Sequence, residues 1–457
     1  MPSKPATSSP ENFLNGKAES FKFKESYFEE RDNIEYQTFN ENYYKYINPD
    51  DFENQFLKLY NYRLEILKPI CSELAKEKWS KKYENIASPD NVMGAQDDIN
   101  YIVGTIYCKS ALKPSIIDQV QENLYVVNPP KVDHYYCDSE EYSLEDDSGR
   151  IQLTCSDWNK FPPLITGVVA AILGRKIPDG SFDVEDIQFP EFPDQSPLNE
   201  VKPGQEKYIA IMSNLQLSPH KPIDPALEIL FDYISGYATI DSDTTPFDSN
   251  IVGLFLSGNV FAYEDLEEAK KNYKKGELDH VDQLLANLSC HIPVYTMPGL
   301  EDPTSLTFPQ DPLHRVLFPK ASENPNFNSL TNPALAALDQ TKILATSGQN
   351  IDDLIKYSPR LEALDWLEAT LNYRHLGPNA PDTLFTLPFE NQDPLIIEDC
   401  PHIYFASNQS KLSTKLVTGT NGQKVRLLTI PKFQSSFEVI LVSLNSLNVK
   451  KIDLSIL

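Results

Sequence analysis

IVGLFLSGNV, residues Ile251–Val260, runs apolar without a break and then stops on Gly258-Asn259. A run this short, rich in β-formers and closed by glycine, reads as a buried strand that delivers an irregular loop at its C-terminal end. Four other segments repeat the arrangement. Tyr208–Met212 is followed by Ser213-Asn214-Leu215-Gln216, and Ile292–Met297 by Gly299-Leu300-Glu301-Asp302. Ile343–Ala345 leads to Ser347-Gly348-Gln349-Asn350, and His402–Phe405 to Ser407-Asn408-Gln409-Ser410. Helical patterns lie between the runs. One opens at Asp224-Pro225, a favourable N-cap and N1 pair; others cover the charged stretch Tyr263–Leu288, Ile351–Tyr357 and Arg360–Tyr373. A long Pro-rich loop, Pro298–Pro333, interrupts the alternation, and Val425–Thr429, Glu438–Leu444 and Val449–Leu454 close the chain as strands. Strands alternating with helices and ending in antiparallel strands predict a two-sheet α/β sandwich over 201–457.

Working toward the N-terminus, Glu191–Lys207 is polar and Pro-containing and reads as a linker. Before it, Tyr101–Cys108, Tyr142–Glu145, Arg150–Thr154, Gly167–Leu173 and Ser181–Ile187 read as short strands. Gly149 can take the positive φ of a hairpin between the second and third. Five such strands suit an OB-type barrel over 96–200, and on strand count alone another small β-barrel equally well. Over 41–95, Phe52, Phe56, Leu59, Tyr60, Leu64, Leu67, Ile70, Cys71 and Leu74 recur at helical spacing, which predicts a helix packing one apolar stripe. Asp50 or Asp51 can cap it, and Pro69 should kink or split it. Residues 1–40 are rich in Ser, Pro, Lys and Glu and read as a disordered tail carrying scattered aromatics, Phe21, Phe23, Tyr27 and Phe28. The fold class expected is α+β.

A net charge of −26 repels phosphate and disfavours direct, strong nucleic-acid binding. An acidic docking surface and plain solubility explain that charge equally well. The six cysteines form no C-x-x-C pair, which argues against a zinc or iron–sulfur site and fits reduced thiols in the cytosol or nucleus. The longest apolar run, Leu164–Gly174, is far short of the ~20 residues a membrane helix needs, and no stretch reads as a signal peptide.

Strand-end loops of this kind hold the ligands of two-metal phosphoesterases. Such a site needs a bridging carboxylate between cations about 3.5–4 Å apart, flanked by His and Asp donors. Here the corresponding loops carry Asn, Gln, Leu and Ser. The layout resembles the calcineurin-like metallophosphoesterases, whose motifs run D-x-H, G-D, G-N-H-[DE], H and G-H-x-H. By that resemblance Asn214 and Gln216 stand for the first Asp and His, and Asn259 for the bridging Asp. Leu300 and Glu301 replace the Asn and His of the third motif. Gln349 or Asn350 falls near the lone His, and Asn408 and Ser410 replace the last two. Only Glu301 and Asp302 retain a carboxylate, while His220, His291, His314 and His402 miss the ligand slots. No catalytic residue, metal or cofactor is therefore expected. Asn259 and Gln349 are expected to be buried and hydrogen-bonded, filling a polar pocket. Pro378–Leu384 is read as a rigid rim loop or a partner contact.

An OB-type domain followed by an inactivated phosphoesterase resembles the B subunits of the replicative DNA polymerases. Within that group the chain is similar to the small regulatory subunits of DNA polymerase delta. The stretches that carry the likeness are LEDDSGRIQL (Leu144–Leu153), TGVVAAILG (Thr166–Gly174), LFLSGNV (Leu254–Val260), MPGLEDP (Met297–Pro303), FPQDPLHRVLFP (Phe308–Pro319), SGQNIDDL (Ser347–Leu354), GPNAPDTL (Gly377–Leu384) and CPHIYFASNQ (Cys400–Gln409). The resemblance implies a nuclear, non-catalytic scaffold in DNA replication and repair. Its partners would be the cysteine-rich C-terminal module of the polymerase delta catalytic subunit and a third accessory subunit, with sharing by the polymerase zeta catalytic subunit. DNA binding would belong to the holoenzyme. The alternatives are an active metal-dependent phosphodiesterase or nuclease using Glu301 and Asp302, and a B subunit of polymerase alpha or epsilon.

Overall fold

The computed structural model describes residues 15–17, 21–23, 34–39, 56–84, 86–113, 133–137, 139–198, 206–218, 222–240, 250–262, 278–389 and 391–455. The cap candidates Asp50 and Asp51, the aromatics Tyr27 and Phe28, His220 and the first part of Tyr263–Leu288 lie outside them.

In chain order, short strands β1 (Asn15–Lys17), β2 (Phe21–Phe23) and β3 (Tyr36–Thr38) precede helix α1 (Leu57–Ser80). The barrel comes next as β4 (Asn100–Lys109), β5 (Glu141–Asp146), β6 (Gly149–Thr154), β7 (Val169–Lys176) and β8 (Phe182–Gln188). The remainder comprises β9 (Tyr208–Met212), α2 (Pro225–Ile234), β10 (Ala238–Ile240), β11 (Ile251–Ser257), α3 (Asp279–Ser289), β12 (Val294–Met297), β13 (Phe327–Ser329), β14 (Ala334–Leu338), β15 (Thr341–Thr346), α4 (Gln349–Ile355), α5 (Ala363–Asn372), β16 (Ile403–Gln409), β17 (Ser413–Thr418), β18 (Lys424–Pro431), α6 (Phe433–Ser436), β19 (Glu438–Ser443) and β20 (Val449–Asp453).

β4-β5-β6-β8-β7 close into a barrel, the OB-type alternative of the two that strand count left open. Its hairpin turns at Asp147-Ser148, with Gly149 at φ 145 and the Asp146 carboxylate accepting the Ser148 amide. The stripe of α1, Leu64, Leu67, Cys71, Ala75 and Trp79, packs on Tyr101, Val103, Val169, Ala171 and Leu173, so β4 and β7 are apolar on both faces. Pro69 does not split α1, which runs as one helix of 24 residues. The proline is exposed, so the carbonyl it leaves without a donor can be met by solvent.

The C-terminal body holds two mixed sheets. One, ordered β1-β20-β19-β9-β11-β12-β13, faces another, ordered β17-β18-β16-β15-β14-β3. Alternation along each strand divides the work. Ile209, Ile211, Val252, Phe255, Tyr295 and Met297 meet Ile343, Ala345, Ile403, Phe405, Leu428 and Ile430 between the sheets. Tyr208, Ala210, Met212, Leu254 and Leu256 face the other way, under α2 and α3. Burial on both faces explains why these strands read as continuous apolar runs.

Within the expected tail over 1–40, the described residues 15–17, 21–23 and 34–39 form paired strands and their flanks. β1 adds to one sheet beside β20, β2 pairs with β10, and β3 adds to the other sheet beside β14. The Tyr36 ring lies 4.9 Å from that of Tyr295. Pairing along open sheet edges satisfies backbone groups, a tertiary gain that a polar composition does not report.

Candidate functional site

The five strand-end segments come together at one end of the two sheets, and three of them share an unusual backbone conformation. Asn214 (φ 55), Gln216 (φ 48), Asn259 (φ 54) and Asn408 (φ 59) are all left-handed. Left-handed non-glycine residues are uncommon and costly, and Asn tolerates the region better than most. Gly258 (φ 82) shows how closely the loops approach: a Cβ there would sit 2.7 Å from Asn408 Nδ2 and 2.8 Å from Ser347 Cβ.

Hydrogen bonds tie the loops to one another. Asn259 Nδ2 donates to Asn214 Oδ1 at 3.2 Å, and Asn259 Oδ1 accepts the Glu301 amide at 3.1 Å. Gln216 Nε2 donates to Glu301 Oε2 at 3.3 Å. Asn408 Nδ2 donates to the Ser347 carbonyl at 2.8 Å, and the Asn408 amide donates to Ser213 Oγ at 3.2 Å. The hydroxyls of Ser257 and Ser407 lie 2.5 Å apart. A second amide cluster adjoins the first. Asn332 Nδ2 lies 2.7 Å from Gln310 Oε1, 2.6 Å from Ser347 Oγ and 2.8 Å from Gln349 Oε1, and Gln349 Nε2 reaches Gln310 Oε1 at 3.2 Å.

Asn259 and Asn214 are buried, and Gln349 is half-buried and bonded on both ends of its amide. Asn350 is buried but turns away, donating to the Leu376 carbonyl at 2.7 Å. Leu300, Gln216 and Ser410 are exposed at the rim. Two boundaries differ from expectation. Gln349 and Asn350 begin α4 behind Gly348 at φ 98, and Asn408 sits inside β16, where the pairing with β18 slips between Ala406 and Gln409. A bulge replaces the expected loop there, because β16 continues until its pairing breaks.

The remaining carboxylate at the centre is committed elsewhere. Asp302 is buried, and its oxygens accept the amides of Phe261 at 3.0 Å and Gly299 at 2.8 Å. Burial pushes its pKa up to about 6, against the pull of those amides. Glu301 accepts from Gln216. Among the described residues no group of three or more His, Cys, Asp or Glu is arranged to hold a metal. His291 lies beside Tyr237, His314 caps a turn through the Val316 amide, and His402 bridges the Lys342 amide and the Ser196 carbonyl. Neutral amides and hydroxyls in mutual hydrogen bonds can hold loops in place.

Sequence reasoning did not find Gln310 and Asn332, which lie outside the strand-end pattern in the long Pro-rich loop. Pro378–Leu384, read as a rigid rim loop or a partner contact, contacts the barrel and α1 of its own chain. Asp382 pairs with Lys113 at 2.5 Å, and the carbonyls of Pro378 and Ala380 accept from Arg63 at 2.8 and 3.1 Å.

Comparison with known proteins adds to this geometry. A family model for the B subunit of DNA polymerases alpha and epsilon matches residues 209–415, and one described as DNA polymerase delta subunit OB-fold domain matches residues 55–187. The DNA polymerase delta small subunit of Oryza sativa subsp. japonica is 35% identical over 363 residues, 78% of this chain and 83% of that protein. DNA polymerase delta subunit 2 of Drosophila melanogaster is 32% identical, over 89% of this chain and 94% of that protein. The DNA polymerase delta small subunit of Arabidopsis thaliana is 33% identical, over 88% and 91%.

Proposed function

This chain belongs to the DNA polymerase delta small-subunit family, and from that membership we propose that it is a non-catalytic regulatory and scaffolding subunit of DNA polymerase delta, acting in replication and repair. Its two-sheet body is a calcineurin-like phosphoesterase whose metal ligands have been replaced, at Asn214, Gln216, Asn259, Leu300, Glu301, Gln349, Asn408 and Ser410. The observation that carries this reading is Asn259. It holds the position of the bridging carboxylate, yet it bonds as an amide to Asn214 and to the Glu301 backbone. Without that negative charge a pair of divalent cations has no centre. What stays useful is the surface.

The chain divides in this reading into an N-terminal segment to about 40, a helical segment over 41–95, the OB-type domain over 96–200 and the phosphoesterase-like domain over 201–457. The scaffold bridges the cysteine-rich C-terminal module of the catalytic subunit and a third accessory subunit, in the nucleus. Among the described residues no helix is long and apolar enough to cross a membrane. The strongly negative charge suits protein contacts better than DNA.

Co-expression with the cysteine-rich module of a polymerase delta catalytic subunit, followed by size-exclusion chromatography, tests the proposal. A stable one-to-one complex is expected. A chain that stays monodisperse and alone would count against the scaffold. Phosphodiester cleavage in Mn²⁺ by the purified chain, abolished by Glu301→Gln, would instead favour an active nuclease.

A further inference from the structure

The segment from His375 to Asp393 meets three parts of the molecule through buried polar groups. Arg63, on α1, is fully buried. Its Nε donates to Asp393 Oδ2 at 2.8 Å, Nη1 to the carbonyls of Pro378 at 2.8 Å and Gly167 at 3.3 Å, and Nη2 to the Ala380 carbonyl at 3.1 Å. One guanidinium thereby joins the helix, the barrel and the segment. Asp393 Oδ2 also meets His375 Nε2 at 2.9 Å. Beside this cluster, Lys113 of the barrel pairs with Asp382, with both side chains largely buried. Asp353 of α4 completes the set: it accepts from Asn379 and Thr383, each at 2.5 Å, and from the Tyr135 hydroxyl at 3.2 Å.

We propose that His375–Asp393 is a polar clamp that fuses α1, the barrel and the two-sheet body into one cooperative unit, so that the surface spanning them has a fixed geometry. Apolar packing also joins these parts, with Ile165 and Ile187 in one cluster with Trp366 and Leu427. Apolar contact is non-directional, however, and tolerates sliding. A buried guanidinium with acceptors on two bodies does not, because a small displacement leaves charge without partners in a low-dielectric site. Gly167 adds a steric requirement. It sits at φ 90, and a Cβ there would lie 1.9 Å from the Pro378 carbonyl oxygen. Backbone touches backbone across this junction, and only glycine allows it.

Calorimetry and native-state hydrogen exchange on the full chain test the clamp. The unsubstituted chain is expected to unfold in one transition, with amides of β4 and β7 and those of β15 and β16 exchanging through the same opening. Asp393→Asn and Gly167→Ala are expected to split that transition, the barrel with α1 separating from the two-sheet body. A single transition in both variants, whether or not its midpoint moves, overturns the proposal. If neither variant folds, exchange in the unsubstituted chain decides: independent opening of β4 and β7 overturns the clamp, and shared opening supports it.

Discussion

The loop cluster around Asn259 and the clamp around Arg63 are both buried and polar, and they solve burial in opposite ways. Apart from the carboxylates of Asp302 and Glu301, the loop cluster holds neutral amides and hydroxyls, joined in pairs and triplets. The clamp holds full charges, each facing an opposite charge or several carbonyls. A buried charge persists only where partners satisfy it. Several acids gathered at the place of Asn259, Asn214 and Asn332 would repel one another, whereas amides keep the loops bonded without that cost. The clamp needs directionality across three bodies, which a guanidinium and a carboxylate supply better than amides do.

The comparison breaks most sharply at Asp393. Asp393→Ala leaves Arg63 buried without its counter-ion and is expected to cost roughly 3–5 kcal/mol in chemical denaturation. A loss below about 1 kcal/mol, the scale of an exposed pair, would mean that the charge is not held as described.

Acid acts on the two clusters with opposite signs: burial raises the Asp302 pKa to about 6, so its contribution to stability grows as pH falls below that value, whereas His375 works the other way. Burial and the neighbouring Arg63 guanidinium hold His375 down at about 4. Unfolded, a histidine titrates near 6.5, so the unfolded chain takes up a proton first as pH falls. The stability contributed by His375 is therefore fully present above that value and declines between about 6.5 and 4, by about 1.4 kcal/mol per unit at most. Asp393 is held well below the usual carboxylate range by Arg63 and His375 against its burial, and its contribution fades only below about pH 4. Denaturation midpoints of the chain and of His375→Gln across this window check the sign: the variant should lose the upper part of the slope.

Placing an acid in the loop cluster sharpens the contrast. Asn259→Asp places a carboxylate beside Asn214 with no cation near it, so a loss of roughly 1–3 kcal/mol is expected at neutral pH, smaller at pH 4 where the acid is protonated. Equal stability at both values would show that the site accepts charge. Asn332→Ala, which leaves the buried Ser347 amide and hydroxyl without the Asn332 side chain, is expected to cost about 1–3 kcal/mol with no such pH dependence. The smallest effect belongs to an exposed pair used as control: Glu77→Ala, opposite Lys81, should change stability by less than about 0.5 kcal/mol.

Much of the loop cluster was legible because strands buried on both faces are written as apolar runs, and Gly, Asn and Ser crowd the positions just after each run. Ile251–Ser257 and the Gly258-Asn259 after it needed no partner to be read. Gln310 and Asn332 were not legible in this way. They come from an irregular loop, where no period marks which side chain points inward. Arg63 was harder still. A lone arginine on a helix reads as a solvated residue, and nothing local distinguishes it from the exposed Lys58 or Lys81 of the same helix region.

The sequence by itself determined the order of barrel, helices and sheets, the Asn, Gln and Ser that crowd the strand ends, and the likeness to polymerase B subunits, because each is carried by neighbouring residues and short periods. Only the tertiary structure decided that β1 and β3 add to sheet edges and β2 pairs with β10, that Asn408 sits on a bulge, and that Arg63 meets Asp393, 330 positions away. Those outcomes depend on which distant groups burial brings together. Chain entropy and hydrogen-bond satisfaction set them over the whole fold, where no local pattern records the partner.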